Sequence, residues 1–85
     1  MAYTIQITEA AEKMLKKLDR PVQTRIRQVI DSLAENPRPS GVKKLKDAGA
    51  LYRVRVGDYR IVYEIRDRQL VVIIIRIGHR KEVYR

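Results

Sequence analysis

The chain has 85 residues and a formal net charge of +9, from nineteen Lys and Arg against ten Asp and Glu. A chain of this length forms one domain, so multi-domain enzymes and switches are excluded. The absence of Cys excludes disulfides and thiolate metal sites, and a single histidine, His79, excludes a metal site built from several histidines. We therefore predict one domain over residues 1–85.

The positive charge is concentrated in the second half of the chain. Residues 41–85 hold twelve basic and five acidic side chains, a net charge of +7, against +2 for residues 1–40. Cations concentrated on one set of elements are typical of nucleic-acid-binding domains, although a solubilising surface would give the same composition.

No segment of the sequence predicts membrane insertion or export. The longest run of apolar residues, Leu70–Ile75, has six residues, whereas a helix that spans a bilayer needs about 20. The N-terminal residues lack the basic start and apolar stretch of a signal peptide. We therefore expect a cytoplasmic protein that does not bind membranes.

The first half of the chain predicts one strand and two helices. Polar and apolar residues alternate from Tyr3 to Thr8, as in a half-buried strand. The Thr8 side chain is suited to cap a first helix, and a second helix begins after Asp19, has proline in its first turn and extends to about Glu35. The loop 36–41 holds two prolines and a glycine and ends the helical hairpin.

The second half predicts three strands, over Leu51–Val56, Tyr59–Ile65 and Leu70–Ile77. The third is almost entirely apolar, so we expect it at the centre of the sheet. The sequence assigns no structure to the basic segment 41–46. The fold class is α+β, with the order β-α-α-β-β-β and a mainly antiparallel sheet that carries a helical hairpin on one face.

A two-residue turn at Gly57-Asp58 sorts the side chains of the first two of these strands. It pairs residue 55 with 60 and residue 53 with 62, so the apolar residues share one face, which meets the helices. Arg53, Arg55 and Arg60 share the opposite face, which we call the arginine face. Like charges at neighbouring positions repel, so we interpret this face as a phosphate-binding surface rather than as three solvated arginines.

The next hairpin turns near Asp67-Arg68. A two-residue loop there would pair residue 63 with 72 and would add an apolar ridge to the arginine face. The ridge would consist of Val71, Ile73, Ile75 and Ile77. Because monomers rarely expose such a patch, we expect the C-terminal tail or a partner chain to cover it.

Two motifs carry a family resemblance. These are Gly57-Asp58-Tyr59-Arg60 and Gly78-His79-Arg80-Lys81-Glu82-Val83-Tyr84, which come after the basic run Gly41–Lys46. Together they resemble the RelE/ParE toxin superfamily, and the RelE branch more than the ParE branch. The resemblance covers essentially the whole chain and implies a RelE-like fold.

The resemblance also implies a function. RelE-like toxins of type II toxin–antitoxin systems cut mRNA in the ribosomal A site, where the ribose 2′-OH attacks the adjacent phosphate and translation stops. The reaction is metal-independent, so no cofactor is expected. ParE-like toxins share the fold but inhibit DNA gyrase, and a non-catalytic RNA-binding module is a third interpretation.

The resemblance assigns roles to individual residues. Arg60 matches the arginine that contacts the scissile phosphate, and Arg80 matches the arginine after the last strand. Tyr84 matches the C-terminal tyrosine that helps to activate the 2′-OH or stacks on the base. His79 is a second candidate for acid–base chemistry, because its ordinary pKa lies near neutrality. The predicted RNA- and phosphate-binding residues are Arg53, Arg55, Lys43, Lys44, Lys46 and Lys81.

One departure from the family pattern bears on the mechanism. Arg53 and Arg55 lie where well-studied RelE toxins carry lysines. Arginine stays protonated and does not transfer protons, so these two residues are predicted to bind phosphate rather than to act as bases.

The resemblance implies a partner as well. We expect a hetero-oligomer with an acidic, RelB-like antitoxin that is disordered until it binds and then covers the arginine face and its apolar ridge. The ribosome and mRNA are the other expected partners.

Overall fold

The structure is a computed structural model that describes residues 2–45 and 50–79. Two helices and five strands follow one another in the order β1 (Thr4–Ile7), α1 (Glu9–Lys16), α2 (Arg20–Ser32), β2 (Lys43–Lys44), β3 (Leu51–Val56), β4 (Tyr59–Arg66) and β5 (Val71–His79). The predicted α+β class and order are confirmed, and a short strand, β2, is added within the basic segment. No helix in the described part of the chain is long and apolar enough to cross a membrane.

The helices begin where the sequence predicts. The Thr8 Oγ1 accepts a hydrogen bond from the backbone N–H of Ala11 (3.2 Å) and so caps α1. The side chain of Asp19 makes no such bond at the start of α2. Helix α2 ends at Ser32, not at Glu35, because the main chain turns there and the Ala34 carbonyl accepts a hydrogen bond from Tyr3 (2.7 Å).

The sheet has the strand order β1-β5-β4-β3-β2. Strand β1 pairs in parallel with β5, and all other neighbours are antiparallel. The central strand is therefore β4, and the prediction that the most apolar strand is central was wrong by one position. Strand β5 is nevertheless interior, because the helical hairpin carries the chain from β1 across the sheet and leaves β1 at the outer edge of β5.

The helices pack on one face of the sheet. The core joins residues of both helices to alternate residues of β3, β4 and β5, among them Leu15, Ile26, Ile30, Leu33, Ile61, Tyr63, Val72, Ile74 and Ile77. Tyr63 is fully buried, and its hydroxyl donates a hydrogen bond to the Pro37 carbonyl (2.7 Å). Burial raises the pKa of Tyr63 to about 12. This bond ties the proline-rich loop to the central strand.

The hairpin of β3 and β4 has the predicted register, with Arg55 opposite Arg60 and Arg53 opposite Val62. Gly57 has a φ of 60°, a conformation that glycine adopts without strain in a two-residue turn. The apolar residues of both strands face the helices, and the three arginines lie on the opposite face.

The hairpin of β4 and β5 differs from its predicted register. Its loop has four residues, 67–70, and Tyr63 pairs with Ile74 instead of residue 72. This shift of two residues keeps Val71 and Ile73 on the arginine face, as predicted. A β-bulge at Val62/Tyr63 then inserts Ile75 as an extra residue. Alternation is inverted beyond it, so Ile77 is buried in the core and the prediction of Ile77 on the arginine face was wrong.

We expect Tyr63→Phe to lower the free energy of unfolding by about 1–3 kcal/mol, because the Pro37 carbonyl would lose its partner inside the protein. Urea unfolding measures the change. Tyr59→Phe, at a partly exposed tyrosine of the same strand, is the matched control and should change stability by less. Equal effects of the two substitutions would show that the Tyr63 hydroxyl contributes nothing specific.

Candidate functional site

The arginine face carries a cationic depression of about 170 Å³. It is lined by Gly41, Lys43, Arg53, Arg55 and Arg60. The short strand β2 brings Lys43 opposite Arg53. Four cations from three strands therefore surround one concave surface, on the side of the sheet that the helices leave open.

Arg60 lies deepest in this group. Its side chain is on the central strand and the residue is only 8% exposed. Gly78, which has no side chain, lies opposite it on β5. A guanidinium confined in this way is oriented before a ligand arrives, so it loses little conformational freedom when it binds an anion.

Arg55, by contrast, is exposed at the rim of the depression. Its Nε donates a hydrogen bond to the Gly57 carbonyl (2.9 Å), which fixes the direction of the side chain. The nearest carboxylate along β4, that of Glu64, accepts a hydrogen bond from the Arg66 Nε (2.6 Å). Glu64 is thus paired with Arg66 and does not neutralise the arginines that line the depression.

The structure adds Arg76 to the arginine face. It lies on β5 opposite Val62 and is exposed. Simple alternation along the predicted strand would put Arg76 on the same side as Ile74, towards the helices. The bulge adds Ile75 between them, so Arg76 lies on the opposite face. One signal in the sequence could have found it: a charged residue inside an apolar strand has to point to solvent.

Other predicted site residues are placed elsewhere. Lys44 lies opposite Tyr52 on β3, and Tyr52 packs against the core, so Lys44 is not on the arginine face. His79 lies opposite Tyr59, and the two rings meet edge to face with centroids 5.5 Å apart. Tyr59 packs on the helix side, so the structure does not bring His79 onto the arginine face beside Arg60. Lys46, Arg80, Lys81 and Tyr84 lie outside the described residues.

Comparison with known proteins identifies the family. The family model described as the ParE toxin of the type II toxin–antitoxin system parDE matches residues 5–84. The chain belongs to the RelE/ParE toxin superfamily. Within it, the similar curated proteins carry RelE-type names. The mRNA interferase toxin RelE of Escherichia coli K12 is 32% identical over 88 residues, covering 99% of this chain and 92% of that protein.

Further relatives agree with this placement among RelE-like toxins. Toxin RelG of Mycobacterium tuberculosis is 30% identical over 86 residues, covering 100% of this chain and 99% of RelG. Among solved structures, a chain of the RelE–RelB complex of Pyrococcus horikoshii matches with a TM-score of 0.84 and 32% identity, covering 94% of this chain and 97% of that one. A chain of the intact Escherichia coli RelBE complex matches with a TM-score of 0.81 and 29% identity, covering 92% and 96%.

In this RelE-like toxin, a polar cluster on the far end of the sheet holds the loop that leads to the depression. Arg38 donates hydrogen bonds to both carboxylate oxygens of Asp67 (3.2 and 2.8 Å), and its guanidinium lies over the Tyr52 ring, 5.2 Å from the centroid. The Tyr3 hydroxyl donates a third bond to Asp67 (2.7 Å). The loop that leads to Gly41 is thereby tied to β3 through Tyr52 and to the turn between β4 and β5 through Asp67.

The hydrogen bonds from Arg38 and then from Tyr3 lower the pKa of Asp67 to about 2, from an ordinary value of 3.8. A carboxylate with a lowered pKa in the folded state stabilises the protein above its ordinary pKa, and the contribution disappears as the pH falls through the folded-state value. We therefore expect Asp67→Asn to lower the Tm at neutral pH, and the difference from wild type to shrink between about pH 4 and pH 2.

Thermal unfolding across this pH range measures the effect. Asp31→Asn, at an exposed aspartate of α2, is the matched control and should leave the pH dependence of Tm unchanged. A difference between wild type and Asp67→Asn that stays constant down to pH 2 would contradict the assignment.

Proposed function

We propose that this protein is a toxin of a type II toxin–antitoxin system that cuts mRNA in the ribosomal A site and so inhibits translation in the cytoplasm. The observation that carries the proposal is the buried Arg60 within a depression lined by four cations. The family and a relative named as an mRNA interferase support it. A surface of this kind is suited to a phosphodiester, because the group is small and anionic and its oxygens accept charge-assisted hydrogen bonds from arginine.

The proposed reaction is transesterification. The ribose 2′-OH attacks the adjacent phosphorus, the bond to the 5′ oxygen of the next nucleotide breaks, and the products are a 2′,3′-cyclic phosphate and a 5′-OH. Negative charge builds up on the phosphoryl oxygens in the transition state. Arg60, together with Arg53 and Arg55, stabilises that charge more strongly than the charge of the ground state.

Proton transfer needs a different group, because arginine does not release its proton under these conditions. We assign the activation of the 2′-OH to Tyr84 and a further phosphate contact to Arg80, on the family resemblance. His79 is the second candidate for proton transfer, and in the structure its ring faces Tyr59. The ribosome holds the mRNA in place, which lets so small a protein act on one phosphodiester.

We expect Arg60→Ala to reduce mRNA cleavage at least about 100-fold, as the loss of one preorganised transition-state donor does in other enzymes. Primer extension on an mRNA translated in a reconstituted system measures the cut. Arg20→Ala, which removes the same charge from an exposed site at the start of α2, is the matched control and should cleave like wild type.

A folded Arg60→Ala variant that cleaves at nearly the wild-type rate would contradict the proposed role of the arginine face. Arg80→Ala should fail in the same assay without loss of folding, since Arg80 is proposed to contact the same phosphate.

The second candidate function is inhibition of DNA gyrase, because the family model that matches the chain is named for ParE. A gyrase supercoiling assay separates the two candidates. Loss of supercoiling together with intact translated mRNA would favour the gyrase inhibitor.

We propose a RelB-like antitoxin as the partner. Several structural neighbours are RelE chains in complexes with RelB, and a net charge of +9 favours an acidic partner. Val71 and Ile73, half-buried on the arginine face, supply apolar anchors for a segment that covers the cations.

Co-expression tests this surface, with Arg60→Ala as the non-toxic background and the small open reading frame beside the gene as the source of antitoxin. We expect the antitoxin to copurify and Ile73→Asp to reduce the yield of complex several-fold. Thr24→Asp, at an exposed position on α2, should not reduce it. Equal yields for the two variants would show that the antitoxin does not depend on this surface.

A further inference from the structure

The β-bulge in β5 is held in place by a residue far away in the sequence. The Thr8 hydroxyl donates a hydrogen bond to the carbonyl of Ile75, the inserted residue (3.0 Å), and the Thr8 backbone N–H donates to the Ile74 carbonyl (3.0 Å). The same threonine caps α1. Two hydrogen bonds of Thr8 thus hold β5 at the bulge, and its cap joins this point to the start of α1.

Because the bulge inverts the alternation of side chains along β5, Arg76 lies in a row with other cations. Successive Cα partners across the sheet are Lys43, Arg53, Val62 and Arg76. Neighbouring strands lie about 4.8 Å apart, so the row runs roughly 14 Å across four strands. It lies beside the pair of Arg55 and Arg60, which are themselves cross-strand partners.

The one uncharged residue of this row is apolar and lies below the side chains on either side of it. Val62, between Arg53 and Arg76, is only 9% exposed. Among the residues that the structure describes, no carboxylate forms an ion pair with Arg76, whereas Arg66 on the same face is bonded to Glu64 (2.6 Å). Arg66 is therefore paired within the protein, whereas Arg76, exposed on the same face, has no ion-pair partner in the part of the chain that the structure describes.

We propose that Arg76 binds a second phosphate of single-stranded RNA, on the far side of Val62 from Arg53. This inference rests on the proposed function, because it takes RNA as the ligand of the arginine face. The RNA then crosses β3, β4 and β5 roughly at right angles to these β-strands. One of its phosphates lies in the depression at Arg60 and another lies at Arg76. Arg76 is a binding residue and takes no part in bond breaking.

The charge arrangement favours this occupant. Grouping cations on one face raises the electrostatic energy of the folded protein, and an anion with several regularly spaced charges lowers that energy more than a single ion does. The planar guanidinium of arginine is suited to phosphate, with which it forms two parallel hydrogen bonds.

The test measures RNA affinity directly, away from the ribosome. The probe is a short, fluorescently labelled oligouridylate with 2′-O-methyl groups, which lacks the attacking hydroxyl and stays intact. Fluorescence anisotropy gives the Kd over a range of KCl concentrations. Each phosphate of a single-stranded RNA that the protein neutralises contributes about 0.7 to the magnitude of the slope of log affinity against log salt concentration.

We expect Arg76→Ala to reduce the magnitude of this slope by about 0.7, and Arg76→Lys to restore it, because lysine keeps the charge. Arg66→Ala is the matched control: it removes the same charge from the same face, at the residue bonded to Glu64, and should leave the slope unchanged. Both arginines are exposed, and circular dichroism verifies that each variant is folded.

Equal slopes for Arg76→Ala and Arg66→Ala would overturn the inference, and so would a wild-type protein that shows no salt-dependent binding of the probe. The outcome is separate from that of the proposed nuclease function, which primer extension on translated mRNA decides. A reduced slope for Arg76→Ala in a protein that leaves mRNA intact would support the RNA path and reject the cleavage.

Discussion

The two-residue turn at Gly57-Asp58 is the constraint on which the arginine face depends. It fixes the register of β3 against β4, and because strand side chains alternate, one register decides for both strands which residues meet the helices. A shift by one residue would bury arginines against the core and expose Ile61 and Tyr63. The burial of those two residues and the clustering of the arginines are therefore two consequences of one register.

Sequence reasoning succeeded where the determinants are local and failed where they are not. The first hairpin follows from a glycine-containing turn between two alternating runs, so Arg53, Arg55 and Arg60 could be placed on one face. The second hairpin has a four-residue loop that ends on Leu70 with a φ of 55°, a conformation that leucine rarely adopts. Its bulge is held by Thr8, which lies 67 residues away in the chain, and no local pattern predicts such a contact. Simple alternation was therefore carried through β5, which put Ile77 on the wrong face and left out Arg76, although a charge within an apolar strand favours a solvent-facing position.

The two faces of the sheet divide stability from function. On the helix side, the core, the buried Tyr63 hydroxyl and the Arg38–Asp67 contacts hold the loop and strands together. On the other side, the cations repel one another, and this destabilisation persists because the core offsets it. His79 belongs by its contacts to the first side, and the sequence could not show this, because its position at the strand end is compatible with either face until the bulge is known.

The central claim is that RNA lies on the sheet face opposite the helices. Nuclear magnetic resonance of the arginine Nε–Hε groups, recorded while the 2′-O-methyl oligouridylate is added, tests it most directly. We predict large shifts for Arg53, Arg55 and Arg60 and none for Arg25 and Arg27 of α2. Shifts confined to the arginines of α2, with those of β3 and β4 unchanged, would contradict the claim and place the RNA on the helices.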